Sequence, residues 1–299
     1  MNILIAKVGN IRVNELRVLT EALNKKHRLT LVSMGTESAY RGLAFSYKDV
    51  PVRVAQLQYK DITKSTTWIN RDTNITANEG EKKREAFDGI TAYEFFSNPA
   101  DAMCVMLSEI MAHKLPDLVI CGISNGEHMG QDIYSSSNIG MAMEACFFGI
   151  PTIAVGVDDK VGGSTEEELK AVVQFVEKNV ETFAKIKLPP FTFLNINVPT
   201  VARYKDIKGI KVSRMSRMTQ LNVYVERVDA NGQKYYWADN VERKIIDPDT
   251  EYARTWFEKG YITIIPICYD STDYEAVRAW NSGLIKDIRK QEHEVEDEE

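Results

Sequence analysis

The stretch from Asp117 to Gly156 reads DLVICGISNGEHMGQDIYSSSNIGMAMEACFFGIPTIAVG, and it decides the fold class of this chain. It begins with an apolar run, residues 118–121, typical of a strand that is covered on both faces. After a glycine-containing loop, apolar and small residues recur at intervals of three and four up to Gly149, which predicts a helix. Residues 151–155 form a second apolar run. The order strand, helix, strand predicts a right-handed crossover between parallel strands.

The N-terminus repeats this order, with predicted strands at 2–8 and 29–34 around a helix at 13–25. Such a start is typical of a doubly wound sheet, in which ligands bind beyond the carboxyl ends of the strands. We therefore expect one cleft to be shared by the loops at 8–12, 35–42 and 122–138.

The remaining pattern extends this α/β sheet. Apolar or alternating runs predict further strands at 51–59, 90–95, 191–198 and 260–268, and helical spacing predicts helices at 99–113, 164–186 and 274–288. Residues 60–86 are polar and indicate a solvated insertion. We expect one domain over residues 1–290, followed by an acidic, disordered tail at 291–299.

The pair Asn231-Gly232 joins two alternating runs and is a strong signal for a hairpin. We expect an antiparallel arm at about 210–242 that projects from the sheet. The strand at 191–198 carries Asn195 and Asn197 on one side, where they structure a loop or reach the cleft.

Composition narrows the classes of function. The chain has 299 residues, 44% of them hydrophobic and 27% charged, as in an ordinary globular protein. Its formal net charge of −6 argues against a nucleic-acid partner. It has neither an apolar run of roughly 18 residues nor a signal-peptide pattern, so we expect no membrane partner and a cytoplasmic location. Its four cysteines form no C-x-x-C pair, and their apolar contexts predict buried free thiols.

Serines precede the helix of the opening stretch. A helix N-terminus attracts anions, and the hydroxyls of Ser136 and Ser137 add hydrogen-bond donors. A serine at this position also serves simply as a helix cap. The residues alone leave both interpretations open.

Seven segments, in order, resemble the SurE survival-protein family, which consists of metal-dependent 5′/3′-nucleotidases that hydrolyse phosphomonoesters. They are MNILIA (1–6), DLVICGISNG (117–126), SSSNIGMAMEA (135–145), FGIPTIAVG (148–156), FLNINVP (193–199), NGQKYYWAD (231–239) and TEYARTWFEKGYITIIP (250–266). The resemblance implies a three-layer, Rossmann-like fold with a mixed, mainly parallel sheet, helices on both faces, a hairpin arm and a C-terminal helix. It also implies a homodimer or homotetramer formed through the hairpin and the C-terminal segment.

The resemblance fails at the metal ligands. The family has Asn-Asp-Asp-Gly after its first strand, with both aspartates on the divalent ion, and this chain has Lys7, Val8, Gly9 and Asn10 there. The family's serine ligand falls on Ala39 (or on Ser38 after a one-residue slip, with Glu37 close by), and its asparagine ligand falls on Ser124. Magnesium and manganese need oxygen ligands, chiefly carboxylates. We therefore expect the metal site to be lost and no cofactor to be used.

Two substitutes for the lost ligands are conceivable. Asp132, His128 and Glu127 are weak alternative metal ligands in the neighbouring loop. Lys7 either supplies a positive charge where the family holds its ion or is a surface lysine whose stem alone is covered. Both interpretations of Lys7 stay open.

The phosphate-binding half of the site is better kept. The family's Ser-Gly-Thr at the helix start corresponds to Ser136, Ser137 and Asn138, and we add Ser124 and Asn125 as candidate anion-binding residues. The sequence therefore predicts a SurE-like protein that binds nucleotide or phosphate as a non-catalytic binding or scaffolding homologue. The alternative is an active nucleotidase that acts on nucleoside monophosphates through an unorthodox metal site.

Overall fold

The computed structural model of the protein describes residues 1–9, 13–35, 38–46, 50–57, 90–158, 164–201, 203–245 and 252–283. Among these residues, nine strands form one sheet in the order β3-β4-β2-β1-β5-β6-β7-β11-β8. These strands are β1 (Asn2–Val8), β2 (Arg28–Met34), β3 (Arg53–Leu57), β4 (Thr91–Phe96), β5 (Leu118–Asn125), β6 (Thr152–Val157), β7 (Thr192–Val198), β8 (Ile210–Val212) and β11 (Ile262–Cys268). The central strands pair in parallel, whereas β3 runs antiparallel to β4.

Helices cover both faces of this sheet. They are α1 (Asn14–Leu23), α2 (Pro99–Val105), α3 (Ser137–Phe147), α4 (Glu166–Lys185) and α5 (Ala253–Glu258), and a further helix, α6 (Tyr274–Ser282), belongs to a different compact unit. Buried residues of α1 and α4 pack in one hydrophobic cluster, and those of α2, α3 and α5 pack in a second. Because alternate residues of each strand face the two clusters, the apolar runs of the sequence are buried on both sides. The predicted three-layer α/β fold with a mixed, mainly parallel sheet is confirmed.

The hairpin is also present. Strands β9 (Met218–Val228) and β10 (Lys234–Ile245) form a separate antiparallel sheet of two strands. At its turn the backbone N–H of Asn231 donates to the Asp229 side chain, and Gly232 has φ +80°, a conformation that glycine adopts readily. The Asn231-Gly232 signal therefore predicted the correct element.

Some details differ from prediction. The helix expected at 99–113 is α-helical only to Val105 and continues through Met106–Ile110 as a wider turn, closed by the Met111 N–H on the Met106 carbonyl. The expectation of buried thiols is wrong for Cys268, which is exposed, and Cys104 is half-buried. The insertion at 60–86, the end of the helix expected at 274–288 and the tail at 291–299 lie outside the described residues.

The described residues 268–283 belong to a second compact unit, distinct from the unit that contains residues 1–267. In it, the Asp273 side chain accepts hydrogen bonds from the N–H groups of Glu275 and Ala276 and caps α6. Among the described residues, no helix is both long enough and apolar enough to cross a membrane.

The stability of the fold depends on pH through Glu144 on α3. It is 8% exposed, and its pKa is raised by burial and, secondarily, by Asp101. The folded protein therefore holds a proton at pH values where the unfolded chain has released it, so this group destabilises the fold as the pH rises above its ordinary pKa. We expect Glu144→Gln to raise the free energy of unfolding at pH 7, by roughly 1 kcal/mol or less, and to give a smaller gain near pH 4.

Urea unfolding of both proteins at the two pH values measures this difference, since the pair differs in a single titratable side chain. An equal gain at both pH values contradicts the assignment to Glu144 ionisation.

Candidate functional site

The cleft lies beside β1, where the order of the strands in the sheet reverses. From β1 the chain builds outward to β2 on one side and, later, to β5 on the other, so that a crevice opens beyond the carboxyl ends of these strands. Of the three loops predicted to share it, those at 35–42 and 122–138 meet, whereas residues 10–12 of the loop at 8–12 lie outside the described residues. Ser137 Oγ donates to the Ser38 carbonyl at 2.7 Å, and the Gly42 N–H donates to the Ser135 carbonyl at 3.0 Å.

The end of β1 carries a buried cation. Lys7 is 6% exposed, and its Nζ donates to the Ile123 carbonyl at 2.7 Å. The interpretation of Lys7 as a surface lysine whose stem alone is covered is therefore wrong. Beside it, Gly9 has φ +123° and donates its N–H to the Met34 carbonyl at 2.7 Å. Val8 is half-buried, and Asn10 lies outside the described residues.

The end of β5 supplies a buried hydroxyl. Gly122 has φ +130°, and a Cβ there would lie 2.4 Å from the Val155 carbonyl oxygen, so only glycine lets β5 pass this close to β6. Ser124 is 5% exposed, and its Oγ lies 3.1 Å from the Gly126 carbonyl and 2.9 Å from His128 Nε2. The end of β5 thus places the Ser124 hydroxyl beside the imidazole ring of His128.

His128 joins the two serine-bearing segments. Its Nε2 lies 2.9 Å from Ser124 Oγ and 3.2 Å from Ser136 Oγ, and its Nδ1 lies 3.8 Å from Asp132 Oδ2. Its backbone is held as well, because its N–H donates to Asn197 Oδ1 at 2.7 Å and its carbonyl accepts from Asn195. Asn195 and Asn197 therefore structure the loop. The sequence marked His128 only as a weak metal ligand, because nothing in its spacing indicates the two serine contacts.

Three polar side chains begin α3. Ser136 Oγ accepts from the Ile139 N–H at 3.3 Å and so caps the helix, and the same oxygen faces His128. Ser137 Oγ donates to Ser38 and accepts from the Arg41 N–H at 3.0 Å, which ties the loop after β2 to the helix. The Oδ1 of Asn138 is buried and has no hydrogen-bond partner among the described residues.

The weak metal alternatives have other roles. Glu127 is 7% exposed and forms an ion pair with Arg254 on α5. The Oδ1 of Asp132 accepts the Gly130 N–H at 2.8 Å. Within the described ranges, no group of three or more His, Cys, Asp or Glu side chains could hold a metal ion.

The other predicted site residues do not come together in one site. Ala39 has no side-chain oxygen, and Ser38 Oγ donates to the Ser97 carbonyl at 3.0 Å. Asn125 Oδ1 lies 3.4 Å from the Ser164 hydroxyl. Glu37 lies outside the described residues.

Two curated relatives show what this chain is similar to. The protein "5′-nucleotidase SurE" of Caldanaerobacter subterraneus subsp. tengcongensis is 34% identical over 200 residues, which cover 66% of this chain and 74% of that protein. A protein of the same name from Syntrophobacter fumaroxidans is 28% identical over 284 residues, covering 94% of this chain and 100% of that protein. These names fit a catalytic function at least as well as the predicted non-catalytic one.

The relatives also correct the expectation that no cofactor is used. They are named 5′-nucleotidases, and the nucleotidases of the family that the sequence resembles depend on a metal, so the expectation is wrong. The described residues at the end of β1 nevertheless do not fit a divalent ion. Val8 and Gly9 offer no side-chain oxygen, and Lys7 brings a positive charge within hydrogen-bond distance of the Ile123 carbonyl.

Two further comparisons cover most of the chain. The crystal structure of the SurE protein from Aquifex aeolicus matches 93% of this chain and 98% of that chain, with a TM-score of 0.67 and 22% identity, and supports the fold. The family model described as "Survival protein SurE" matches residues 3–222. With a family match over this length and relatives of this identity, the chain belongs to the SurE family.

Proposed function

We propose that this chain binds the phosphate group of a nucleoside monophosphate in the cleft between β1, β5 and the start of α3, and that binding, with little or no hydrolysis, is its main function. The observation that carries the proposal is the polar cradle at the start of α3. There, Ser136 Oγ lies 3.2 Å from His128 Nε2, so a hydroxyl group and an imidazole ring meet at the N-terminus of the helix.

The electrostatics of the cradle favour an anion. Helix α3 has 11 residues and no acidic side chain in its first turn, so its N-terminal N–H groups present the positive end of the helix dipole. The ammonium group of Lys7 adds a positive charge. It donates a hydrogen bond to the carbonyl of Ile123, the residue before Ser124. A phosphate group binds well where backbone donors, hydroxyls and a cation converge.

A second candidate function is 5′-nucleotidase activity, which the names of the curated relatives favour. Incubation with nucleoside monophosphates and manganese or magnesium, with and without a chelator, separates the two. Chelator-sensitive turnover at rates ordinary for an enzyme supports the second candidate. Binding of the nucleotide without such turnover supports the first.

Substitutions of Ser136 and of its neighbour Ser135 test the polar cradle directly. We expect Ser136→Ala to weaken binding of inorganic phosphate and of adenosine monophosphate by about tenfold, because a hydroxyl that contacts an anion contributes more than about 1 kcal/mol. Ser135→Ala is the matched control, since Ser135 is exposed and its Oγ donates to the Asp132 carbonyl. Isothermal titration calorimetry measures the affinity of both variants. Equal losses of affinity would mean that Ser136 does not contact the phosphate group.

Assembly and location also stay proposals. The hairpin exposes aromatic side chains, with Tyr236 60% and Trp237 64% accessible, which supports a homodimer or homotetramer. The free thiols of the four cysteines are in keeping with the reducing cytoplasm. The net charge of −6 supports the absence of a nucleic-acid partner, and we propose no membrane partner.

A further inference from the structure

A serine, a histidine and an aspartate lie next to one another at the start of α3. Ser136 Oγ lies 3.2 Å from His128 Nε2, and the other ring nitrogen, Nδ1, lies 3.8 Å from Asp132 Oδ2. A carboxylate beside Nδ1 favours the tautomer that carries its proton there, so that Nε2 accepts the hydroxyl proton of Ser136. The contact with Asp132 is longer than a hydrogen bond, as is common in such sites without substrate. The three side chains have the order nucleophile, base and orienting acid that activates a serine.

Of the two serines that contact His128, Ser136 is the better nucleophile. The Ser124 hydroxyl lies 3.1 and 3.2 Å from two backbone carbonyls, and its single proton is donated to one of them. Ser136 Oγ accepts the Ile139 N–H at 3.3 Å, and its own proton is available to His128. Once the ring is protonated, Ser124 Oγ at 2.9 Å accepts its Nε2–H. The two serines therefore have different roles, and Ser124 stabilises the protonated base.

The backbone beside Ser136 suits the transfer of an acyl group. Ser136 is the N-cap of α3, so the N–H groups of Ser137 and Asn138 have no carbonyl partner within the helix. N–H groups next to a nucleophilic serine stabilise the negative oxygen of a tetrahedral intermediate. No acidic side chain in the first turn of α3 opposes this charge. The helix start therefore complements the serine and its base.

The surroundings limit the substrate to a small acyl group. Ser136 is 7% exposed, and the side chains of His128 and Asp132 are 12% and 14% exposed. Space remains at Gly126, whose carbonyl lies 3.1 Å from Ser124 Oγ, because nothing lies within 4 Å of a Cβ added there. A short acyl chain therefore suits this site better than a bulky one.

We propose that Ser136 and His128, oriented by Asp132, hydrolyse small carboxylic esters without a metal ion. Ser136 Oγ bonds to the acyl carbon while its proton passes to His128 Nε2. The bond from the acyl carbon to the alcohol oxygen then breaks, and that oxygen keeps the electron pair and takes the proton from Nε2. Water next gives a proton to Nε2 and bonds to the acyl carbon, and Ser136 Oγ leaves and takes that proton back. The products are an alcohol and a carboxylic acid, and the activity goes beyond the nucleotide binding proposed above.

Hydrolysis of p-nitrophenyl acetate by the full chain, in the presence of a chelator, tests the proposal. We expect a burst of about one p-nitrophenol per chain, because the acyl-serine forms faster than water removes it. Peptide mass spectrometry of the wild-type protein then locates an acetyl group on Ser136. Ser136→Ala removes the burst, and both Ser136→Ala and His128→Gln lower the rate at least about 100-fold.

Two exposed residues provide matched controls. Ser135→Ala and His113→Gln keep the full rate, because both side chains lie on the surface. Asp132 is a positioning residue, and we expect Asp132→Asn to lower kcat by about tenfold or more and to leave KM unchanged. A general loss of structure changes both constants, so the split between them separates orientation of His128 from a structural role.

The opposite results overturn the inference. They are an acetyl group on Ser124 in place of Ser136, a rate that survives Ser136→Ala, and the absence of hydrolysis by the wild-type protein. The adduct is located on the wild type, so the test holds even if Ser136→Ala, which removes a helix cap, does not fold. Hydrolysis that inorganic phosphate inhibits supports both proposals. Hydrolysis that phosphate does not inhibit supports the ester site and contradicts phosphate binding at Ser136.

Discussion

Replacing Lys7, Val8, Gly9 and Asn10 together by Asn, Asp, Asp and Gly is expected to raise manganese-dependent hydrolysis of nucleoside monophosphates by at least about 100-fold. The replacement supplies two carboxylates, the ligands that a hard divalent ion prefers, and it removes the ammonium of Lys7 from the same place. A bound ion then supplies a nucleophilic hydroxide near neutral pH and neutralises charge on the phosphoryl group. Initial rates with and without chelator measure the effect.

The four positions have to change together. Gly9 has φ +123°, where an aspartate alone is strained, and the family pattern moves the glycine to position 10. The matched control carries Lys7→Asn, Val8→Asn, Gly9→Asn and Asn10→Gly, which keeps the side-chain shapes without the charges. Equal rates for wild type, replacement and control mean that carboxylates at the end of β1 do not limit this protein.

Gly140→Ala is expected to lower the free energy of unfolding by about 2–4 kcal/mol, well beyond an ordinary substitution. A Cβ at Gly140 would lie 2.1 Å from the Gly42 carbonyl oxygen and 3.1 Å from the Leu43 nitrogen. These are backbone atoms, so the loop after β2 has to move away from α3. Alanine favours a helix over glycine by only about 1 kcal/mol, which does not offset the clash.

We expect the same displacement to weaken the phosphate binding proposed above. Ser137 joins α3 to this loop through Ser38 and Arg41, and moving the loop disturbs the start of the helix. Gly149→Ala is the comparison, because nothing lies within 4 Å of a Cβ there and only its φ of +73° opposes a side chain. Urea unfolding measures all three proteins. If Gly140→Ala lowers the free energy of unfolding no more than Gly149→Ala does, the close contact between α3 and the loop after β2 is contradicted.

Much of the fold could be predicted from local pattern. The run 118–121, the helical spacing that follows it and the run 151–155 predicted the unit β5-α3-β6, because the burial of strand faces and helix stripes leaves its period in the sequence. Asn231-Gly232 predicted the hairpin, because that pair adopts its turn readily. The pattern did not predict where the helix expected at 99–113 stops being α-helical, which is after Val105.

For the candidate site, the sequence by itself determined that residues 7–10 contain no carboxylate, since that is a matter of which residues are present. Only the tertiary structure decided that Lys7 is buried against Ile123, 116 residues away, and that Glu127 pairs with Arg254. The same holds for the position of His128 between Ser124 and Ser136. Such contacts depend on strand order, register and loop paths, and these arise when distant segments pack together, which residue spacing along the chain does not encode.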